Sequence, residues 1–202
     1  MAAPAFVFPN LRQQLEDLPA HQVGEILAGE LHVQPRPSGA HGVASGELFA
    51  DVMGRAREGS GSPRGGWVFL MEPELHLGDD ILVPDIAGWA RERLPDPTAH
   101  IAFAIVPDWV CEVLSPSTHQ RDRGLKADLW LGHGLQHLWL VDPTAELVEA
   151  FVANEGRWSR LGAWGGDDVI AVEPFPTLDI ALSRLWGREL VADEPAPEEA
   201  PQ

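Results

Sequence analysis

Short apolar runs separated by glycine, proline and acidic turns alternate along this chain with segments of helical spacing. Apolar residues between positions 43 and 53 recur at intervals close to three or four, so a helix is predicted from a cap at Ser38 to about Arg57. A shorter helix is predicted for residues 11–18, capped by Asn10 and ended by the next proline.

Strand patterns occupy most of the remaining chain. The run GEILAGELHVQPRP predicts a β-hairpin around Ala28 and Gly29. Glu25 and Glu30 flank this turn and are expected to be exposed structural acids. Residues 67–90 predict two or three further strands, with a turn at Gly78-Asp79-Asp80.

The last third of the chain predicts an antiparallel meander of QHLWLVD, ELVEAFV, RWSRLGAW and DVIAV, followed by a short helix over residues 180–186. The predicted class is therefore α/β (α+β), a mixed β-sheet flanked by helices, with an N-terminal hairpin and a C-terminal meander. Residues 1–190 are expected to form a single domain. Residues 191–202 are acidic and proline-rich without large apolar side chains, which predicts a disordered tail.

Composition narrows the possible functions. The net charge is -17, from 31 Asp+Glu against 14 Lys+Arg, which argues against a basic protein that clamps duplex nucleic acid. A nuclease with this balance needs metal ions, a local basic patch or a partner. Cys111 is the only cysteine, which excludes an intramolecular disulfide and indicates a reducing compartment. We expect a cytoplasmic protein with no membrane partner, since no signal-peptide pattern or membrane-spanning apolar run is seen.

The most informative stretch is WVCEVLSPSTHQRDRGLK, residues 109–126. It predicts a strand over residues 109–114, ended by Ser115-Pro116, and then a helix capped by Ser117 or Thr118 that reaches about residue 131. Glu112 stands alone in the apolar strand. A buried carboxylate is costly unless it is paired or bound to a metal, so Glu112 is a candidate site residue.

Two Pro-Asp pairs could supply a second acid. Asp108 and Glu112 are four positions apart on one strand, so their Cα atoms are roughly 13 Å apart. Asp85 lies on a different strand, and neighbouring strands are only about 5 Å apart. Asp85 and Glu112 are thus the better pair for Mg²⁺, which prefers hard oxygen ligands. The alternative for Asp85 is an acid that merely ends a strand in a turn.

Asp122 and Lys126 lie four positions apart on the predicted helix and share a face. An ordinary helical ion pair is the simpler interpretation, and a cation that completes a phosphodiester-cutting site is the alternative. Structural roles are predicted for the other chemically suggestive residues, which are His41, Glu47, Asp51, Ser115, Ser117, His119, His133 and His137. Core or interface positions are predicted for Trp67, Trp89, Trp109, Trp130 and Trp139.

The segments VPDIAGW and PDWVCEVLSPSTHQRDRGLKADLWLGHGLQHLWLVDP resemble the Uma-two family of bacterial endonucleases, which has the restriction-endonuclease-like PD-(D/E)XK fold. GEILAGELHVQPRPSGAH, RWSRLGAW and PFPTLDIALSRLW also resemble that family, so the likeness covers nearly the whole chain except the termini. The resemblance implies a metal, Mg²⁺ or Mn²⁺, held by Asp85 and Glu112 with the backbone carbonyl of Val113.

The resemblance also implies where the catalytic lysine lies. The general fold pattern places it at position 114, which is Leu114 here, and the family moves it to the next helix at Lys126. Asp122 would position Lys126 or help to bind a second ion. A homodimer and a nucleic-acid substrate, with DNA expected, are implied in the same way.

Two classes of function remain open from the sequence. The first is a metal-dependent endonuclease that hydrolyses phosphodiester bonds. The second is a catalytically inactive nuclease-fold protein that acts as an interaction or regulatory module. The acidic charge favours the second class, because an acidic surface repels nucleic acid at a distance. The presence of Asp85, Glu112 and Lys126 together favours the first.

Overall fold

The computed structural model describes residues 9–35, 37–58, 66–94 and 96–188. The α-helical segments are α1 (Pro9–Glu16), α2 (Gly39–Glu58), α3 (His119–Arg121) and α4 (Ala127–His133), and a π turn, Asp122–Lys126, joins the last two. The strands are β1 (Gln22–Leu27), β2 (Glu30–Pro35), β3 (Trp67–Met71), β4 (Leu75–Leu77), β5 (Asp80–Leu82), β6 (Ile86–Ala90), β7 (Trp109–Val113), β8 (His137–Asp142), β9 (Leu147–Asn154), β10 (Arg157–Gly165), β11 (Val169–Ile170) and β12 (Ile180–Ala181).

A six-stranded sheet in the order β10-β9-β8-β7-β6-β3 forms the centre of the fold. β7 and β8 are parallel and the other neighbours are antiparallel. The parallel pair requires a crossover, which the helical segment from α3 to α4 provides. All five residues of β7 are buried. The predicted mixed sheet flanked by helices is confirmed.

Each face of this sheet has its own apolar core. On one face, Leu48 of α2 belongs to a buried cluster with Cys111. On the other face, Val110 belongs to a cluster with Trp130 of α4. Because side chains alternate along a strand, Glu112 lies on the face of Val110 and points toward α4.

A smaller sheet in the order β2-β1-β5-β4 covers the face of the central sheet that carries Val110 and Glu112. β1 and β2 form the predicted hairpin, with Leu27 opposite Glu30 at the turn. β1 joins β5 through Ile26 and Ile81. One carboxylate oxygen of Asp80 accepts a hydrogen bond from Ala28 N at 2.7 Å, and the other is hydrogen-bonded to His133 of α4 at 2.8 Å, which ties this sheet to the helix.

Several element boundaries differ from the sequence prediction. α1 begins at Pro9, so Asn10 lies in its first turn and is not the cap. Proline is favoured at the first helical position because its missing N–H needs no partner there. Residues 67–90 form four strands, β3 to β6, where two or three were predicted. The helix capped by Ser38 was predicted correctly, since its Oγ accepts from His41 N at 3.3 Å.

The C-terminal part also differs. β8, β9 and β10 form the predicted meander, but the run DVIAV leaves it, because β11 pairs with β12. Residues 180–186 are therefore not one helix. They are strand β12 followed by a 3-10 turn, Leu182–Trp186. The pairing buries Ile170 and Ile180, and this burial outweighs the weak local preference for helix.

The predicted tail, residues 191–202, lies outside the described residues, and the division into a domain and a tail stays a prediction. Within the described ranges, no helix has the length and apolar character needed to cross a bilayer.

Candidate active site

A cavity of about 310 Å³ opens where the smaller sheet, the end of β7 and the start of the crossover helix meet. Its lining includes all five residues that the sequence predicted for the site, which are Asp85, Glu112, Val113, Asp122 and Lys126. Asp108, the rejected alternative, is not among the lining residues; it accepts from Ala90 N at 2.8 Å and pairs with Arg93. The structure thus brings the predicted site residues together, and their roles stay predictions.

Glu112 is held in the interior by two donors. Its side chain is 3% exposed. Oε1 accepts from Trp130 Nε1 at 2.9 Å and lies 2.9 Å from Lys126 Nζ, while Oε2 accepts from the same ammonium at 3.0 Å. Burial raises the pKa of Glu112 to about 8, against the lowering effect of Lys126. A further positive charge nearby would therefore favour the ionised form of Glu112.

Trp130 provides a testable measure of how this carboxylate is held. Trp130→Phe removes the donor to Glu112. Trp109→Phe is the matched control, since Trp109 is equally buried and its Nε1 has no hydrogen-bond partner within the described part of the chain. Both changes lose ring volume, but only the first leaves a buried oxygen with one donor fewer. We expect Trp130→Phe to lower the free energy of unfolding by about 1–3 kcal/mol more than the control, in denaturant titrations. Equal losses would contradict this role.

Lys126 is the only lysine in the sequence, and it is 2% exposed. Its Nζ contacts Glu112 at 2.9 Å and Glu25 Oε1 at 3.0 Å, and it is 3.4 Å from Val83 O. Burial alone would lower the pKa of Lys126, but the carboxylates of Glu112 and Glu25 raise it above its ordinary value. Lys126 is therefore a fixed positive charge at the base of the cavity.

Asp85 follows Pro84 in the link between β5 and β6. Ile86 pairs with Cys111, so the antiparallel register continues to Asp85 opposite Glu112. Asp85 Oδ2 accepts from Val113 N at 2.6 Å, and Oδ1 lies 3.0 Å from His41 Nε2. Burial opposes protonation of His41, but the bond to Asp85 leaves its pKa raised overall.

Asp122 does not form the helical pair with Lys126 that its spacing suggested. It is 4% exposed, lies 3.8 Å from Arg121 Nε, and its carboxylate accepts from Thr118. The π turn spans both Asp122 and Lys126, and its wider turn rotates side chains four positions apart away from one another. The ammonium consequently points to the two glutamates. Burial raises the pKa of Asp122.

Glu25 is the site residue that the sequence analysis missed. It was expected to be an exposed hairpin acid, and it is 1% exposed and paired with Lys126. The alternation of side chains in β1 could have indicated its burial, because Glu25 lies on the same face as Leu27, which is 0% exposed. Glu30 at the other side of the turn is exposed, as expected.

The other suggestive residues have structural partners. Arg184 pairs with Glu47 and with Asp51, which is buried. His133 ends α4, two residues beyond the predicted end of this helix, and is hydrogen-bonded to Asp80. The predicted core placement is confirmed for the four tryptophans that are 0% exposed, which are Trp89, Trp109, Trp130 and Trp139.

The donor set fits a hard divalent cation in chemical type. Mg²⁺ is commonly bound through one or two carboxylates and keeps several waters, and Asp85 and Glu112 both line the cavity. Over the residues that the structure describes, no group of three or more His, Cys, Asp or Glu side chains is arranged to hold an ion. Two carboxylates with a backbone carbonyl do not require such a group. The raised pKa of Glu112 also fits, since a bound cation would offset the cost of its buried charge.

Comparison with known proteins identifies the family and the fold. Residues 12–183 match the model of the Uma2 family, described as "Putative restriction endonuclease". The chain belongs to the Uma2 family. It also shares its fold with the crystal structure of "a putative nuclease belonging to DUF820" from Anabaena variabilis ATCC 29413, at 24% identity and a TM-score of 0.70, over 88% of this chain and 97% of that one.

At that identity the likeness shows the fold alone, and the sequence matches no curated protein at a significant level. The description of the Uma2 family supports a nuclease, a hydrolase that acts on the phosphodiester bonds of nucleic acid.

Proposed function

We propose that this Uma2 protein is a metal-dependent endonuclease that hydrolyses phosphodiester bonds in nucleic acid, with DNA as the expected substrate. One observation carries the proposal. Asp85, Glu112 and Lys126 line a single cavity, and Lys126 Nζ lies 2.9 Å from Glu112 Oε1. Two acids and one fixed cation are the groups that metal-assisted phosphodiester hydrolysis requires.

Asp85 and Glu112, with the carbonyl of Val113, would hold Mg²⁺ or Mn²⁺. The bound ion supplies Lewis-acid polarisation of the phosphate and a more acidic water. Lys126 would donate hydrogen bonds to the phosphate or the attacking water, since its raised pKa keeps the ammonium protonated and excludes it as a base. Asp122 would support this arrangement through its bond from Thr118.

The net charge of -17 favours a second candidate, the inactive nuclease-fold module, because long-range repulsion weakens binding of nucleic acid. The cavity rim includes Ser38, Ser115 and Ser117, which are polar but uncharged. Binding by the active protein would thus depend on the metal more than on basic side chains. Assembly as a homodimer in the cytoplasm belongs to the same proposal and rests on the family resemblance and the single cysteine.

The decisive experiment incubates the protein with single-stranded DNA, duplex DNA and RNA in the presence of Mg²⁺ or Mn²⁺. Asp85→Asn should lower cleavage at least about 100-fold and remove the metal-induced rise in Tm. Asp108→Asn is the matched control, since it is the other Pro-Asp acid and lies outside the cavity lining.

Cleavage that survives Asp85→Asn would contradict the assigned site. Absence of both cleavage and a metal-induced rise in Tm in the native protein would overturn the enzymatic proposal and favour the inactive module.

A further inference from the structure

Glu25 reaches the site from the opposite sheet. It lies on β1 of the four-stranded sheet, whereas Glu112 lies on β7 of the six-stranded sheet. Its side chain is 1% exposed. A carboxylate this deeply buried is costly unless paired and hydrogen-bonded, so its contacts indicate what it does.

The contacts of Glu25 join two parts of the proposed machinery. Oε1 accepts from Val83 N at 2.9 Å and lies 3.0 Å from Lys126 Nζ. Val83 precedes Asp85 by two residues, so one oxygen fixes both the backbone that leads to Asp85 and the ammonium of Lys126. Oε2 has no hydrogen-bond partner among the residues that the structure describes, and it lies 3.7 Å from Arg121.

Glu25 is not among the residues that line the cavity. We therefore expect its effect on the reaction to pass through the groups that it holds, which are the ammonium of Lys126 and the backbone of Val83. Lys126 has two carboxylate partners, and one of them, Glu112, is the proposed metal ligand. A cation at Glu112 would compete with the ammonium for the same two oxygens and repel it.

We propose that Glu25 is a positioning residue that keeps the ammonium of Lys126 at the cavity when the carboxylate of Glu112 turns to a metal ion. The inference rests on the proposed nuclease function. Without Glu25, the remaining contact of the displaced ammonium is Val83 O at 3.4 Å, which is a weak hydrogen bond. The lysine would then leave the position from which it reaches a phosphate.

The kinetic test uses Glu25→Gln, which keeps the shape and a neutral acceptor for both Val83 N and the ammonium, but removes the negative charge that would hold the ammonium against a bound cation. Glu149→Gln is the matched control, because Glu149 is also a buried glutamate with two arginine partners and lies outside the cavity lining. We expect Glu25→Gln to lower kcat at least about tenfold while KM stays within about twofold. Equal kcat values for the two variants, per mole of folded protein, would overturn the proposal.

A spectroscopic test needs no catalysis. Because Lys126 is the only lysine, labelling with [15N]lysine gives one side-chain ammonium resonance. In Glu112→Gln without metal, the resonance should persist, since Glu25 still holds the ammonium. In Glu25→Gln it should persist without Mg²⁺ and disappear through exchange with water once Mg²⁺ is added. Unchanged tryptophan indole resonances would show that each variant is folded.

Loss of the ammonium resonance in folded Glu112→Gln would overturn the role of Glu25, whether or not the protein cleaves nucleic acid. Persistence of the ammonium resonance in folded Glu25→Gln with saturating Mg²⁺ would also overturn this role of Glu25. If the native protein cleaves nothing but Glu112→Gln keeps its resonance, the nuclease proposal fails and the positioning contact stands.

Discussion

Replacing Lys126 by methionine should lower kcat by about 1000-fold and the free energy of unfolding by about 3–5 kcal/mol. The first loss follows from the proposed role of Lys126, which lines the cavity, as the cation that contacts the phosphate. The second follows because Glu112 and Glu25, 3% and 1% exposed, would share the interior without their ammonium partner. Single-turnover kinetics and urea unfolding would measure the two losses separately.

A surface cation provides the comparison. Arg160→Met removes one of the partners of Glu149, but Arg160 is 59% exposed, so its loss should change stability by less than about 1 kcal/mol and leave kcat unchanged. Adding Glu112→Gln to Lys126→Met should recover part of the lost stability without recovering activity, since it removes a buried carboxyl group whose ionised form then has no cation partner. A Lys126→Met protein as stable as the native one would contradict the buried ion cluster.

The proximity of Asp85 and Glu112 was predictable because it depends on two local rules. Apolar runs identify the strands, and the spacing between neighbouring strands is nearly constant. The register of Ile86 opposite Cys111 then places Asp85 beside Glu112. The same rules excluded Asp108, whose carboxylate holds Ala90 N and Arg93 at the far end of the strand.

The partners of Lys126 were not predictable from helical spacing. The sequence predicted Asp122 as its partner, but the π turn across these residues changes which side chains are neighbours. Glu25 comes from a different sheet, and its contact depends on how the two sheets pack together. That packing is a long-range property, and the local pattern GEIL carries only the alternation that puts Glu25 beside Leu27 on the buried face.

The short elements near the C-terminus were still harder to predict from the sequence. β11 and β12 have two residues each, so their pairing is fixed by burial of Ile170 and Ile180 and by the hydrogen bond from Leu182 N to Asp168 O at 2.9 Å. Local propensity contributes little over two residues. The long buried strands β7 and β8 were predicted within one or two residues because their apolar runs are continuous.

Metal-induced stabilisation should increase as the pH rises from 5 to 8 and become constant above about 8. Burial raises the pKa of Glu112 to about 8 from an ordinary value of 4.5, so protons compete with the metal for this carboxylate throughout that range. The apparent metal affinity should fall by about tenfold for each pH unit below 8. The groups facing Glu112 are Lys126, which lowers its pKa, and Asp122, Asp85 and Glu25, which raise it.

Without metal, the free energy of unfolding should fall as the pH rises over the same range. Between pH 4.5 and 8 the folded state keeps a proton on Glu112 that the unfolded state has released, so the stability contributed by this group falls as the pH rises. Lys126 adds no pH dependence to the stability between pH 4.5 and 8, because it is protonated in both the folded and the unfolded state. His41 contributes in the same direction as Glu112, since its raised pKa gives stability that is present below 6.5 and lost as the pH rises through the folded value.

Glu112→Gln separates these contributions, because it removes one titrating group and leaves His41 in place. Tm would be measured from pH 5 to 9, with and without Mg²⁺, for the native protein and this variant. The variant should lose most of the metal-induced rise at every pH and show a shallower metal-free decline than the native protein. A native metal-induced rise of the same size at pH 5 and pH 8 would mean that the metal is held by groups already ionised at pH 5. Glu112 would then not be the ligand, because a carboxyl group that burial keeps protonated cannot bind a cation without releasing its proton.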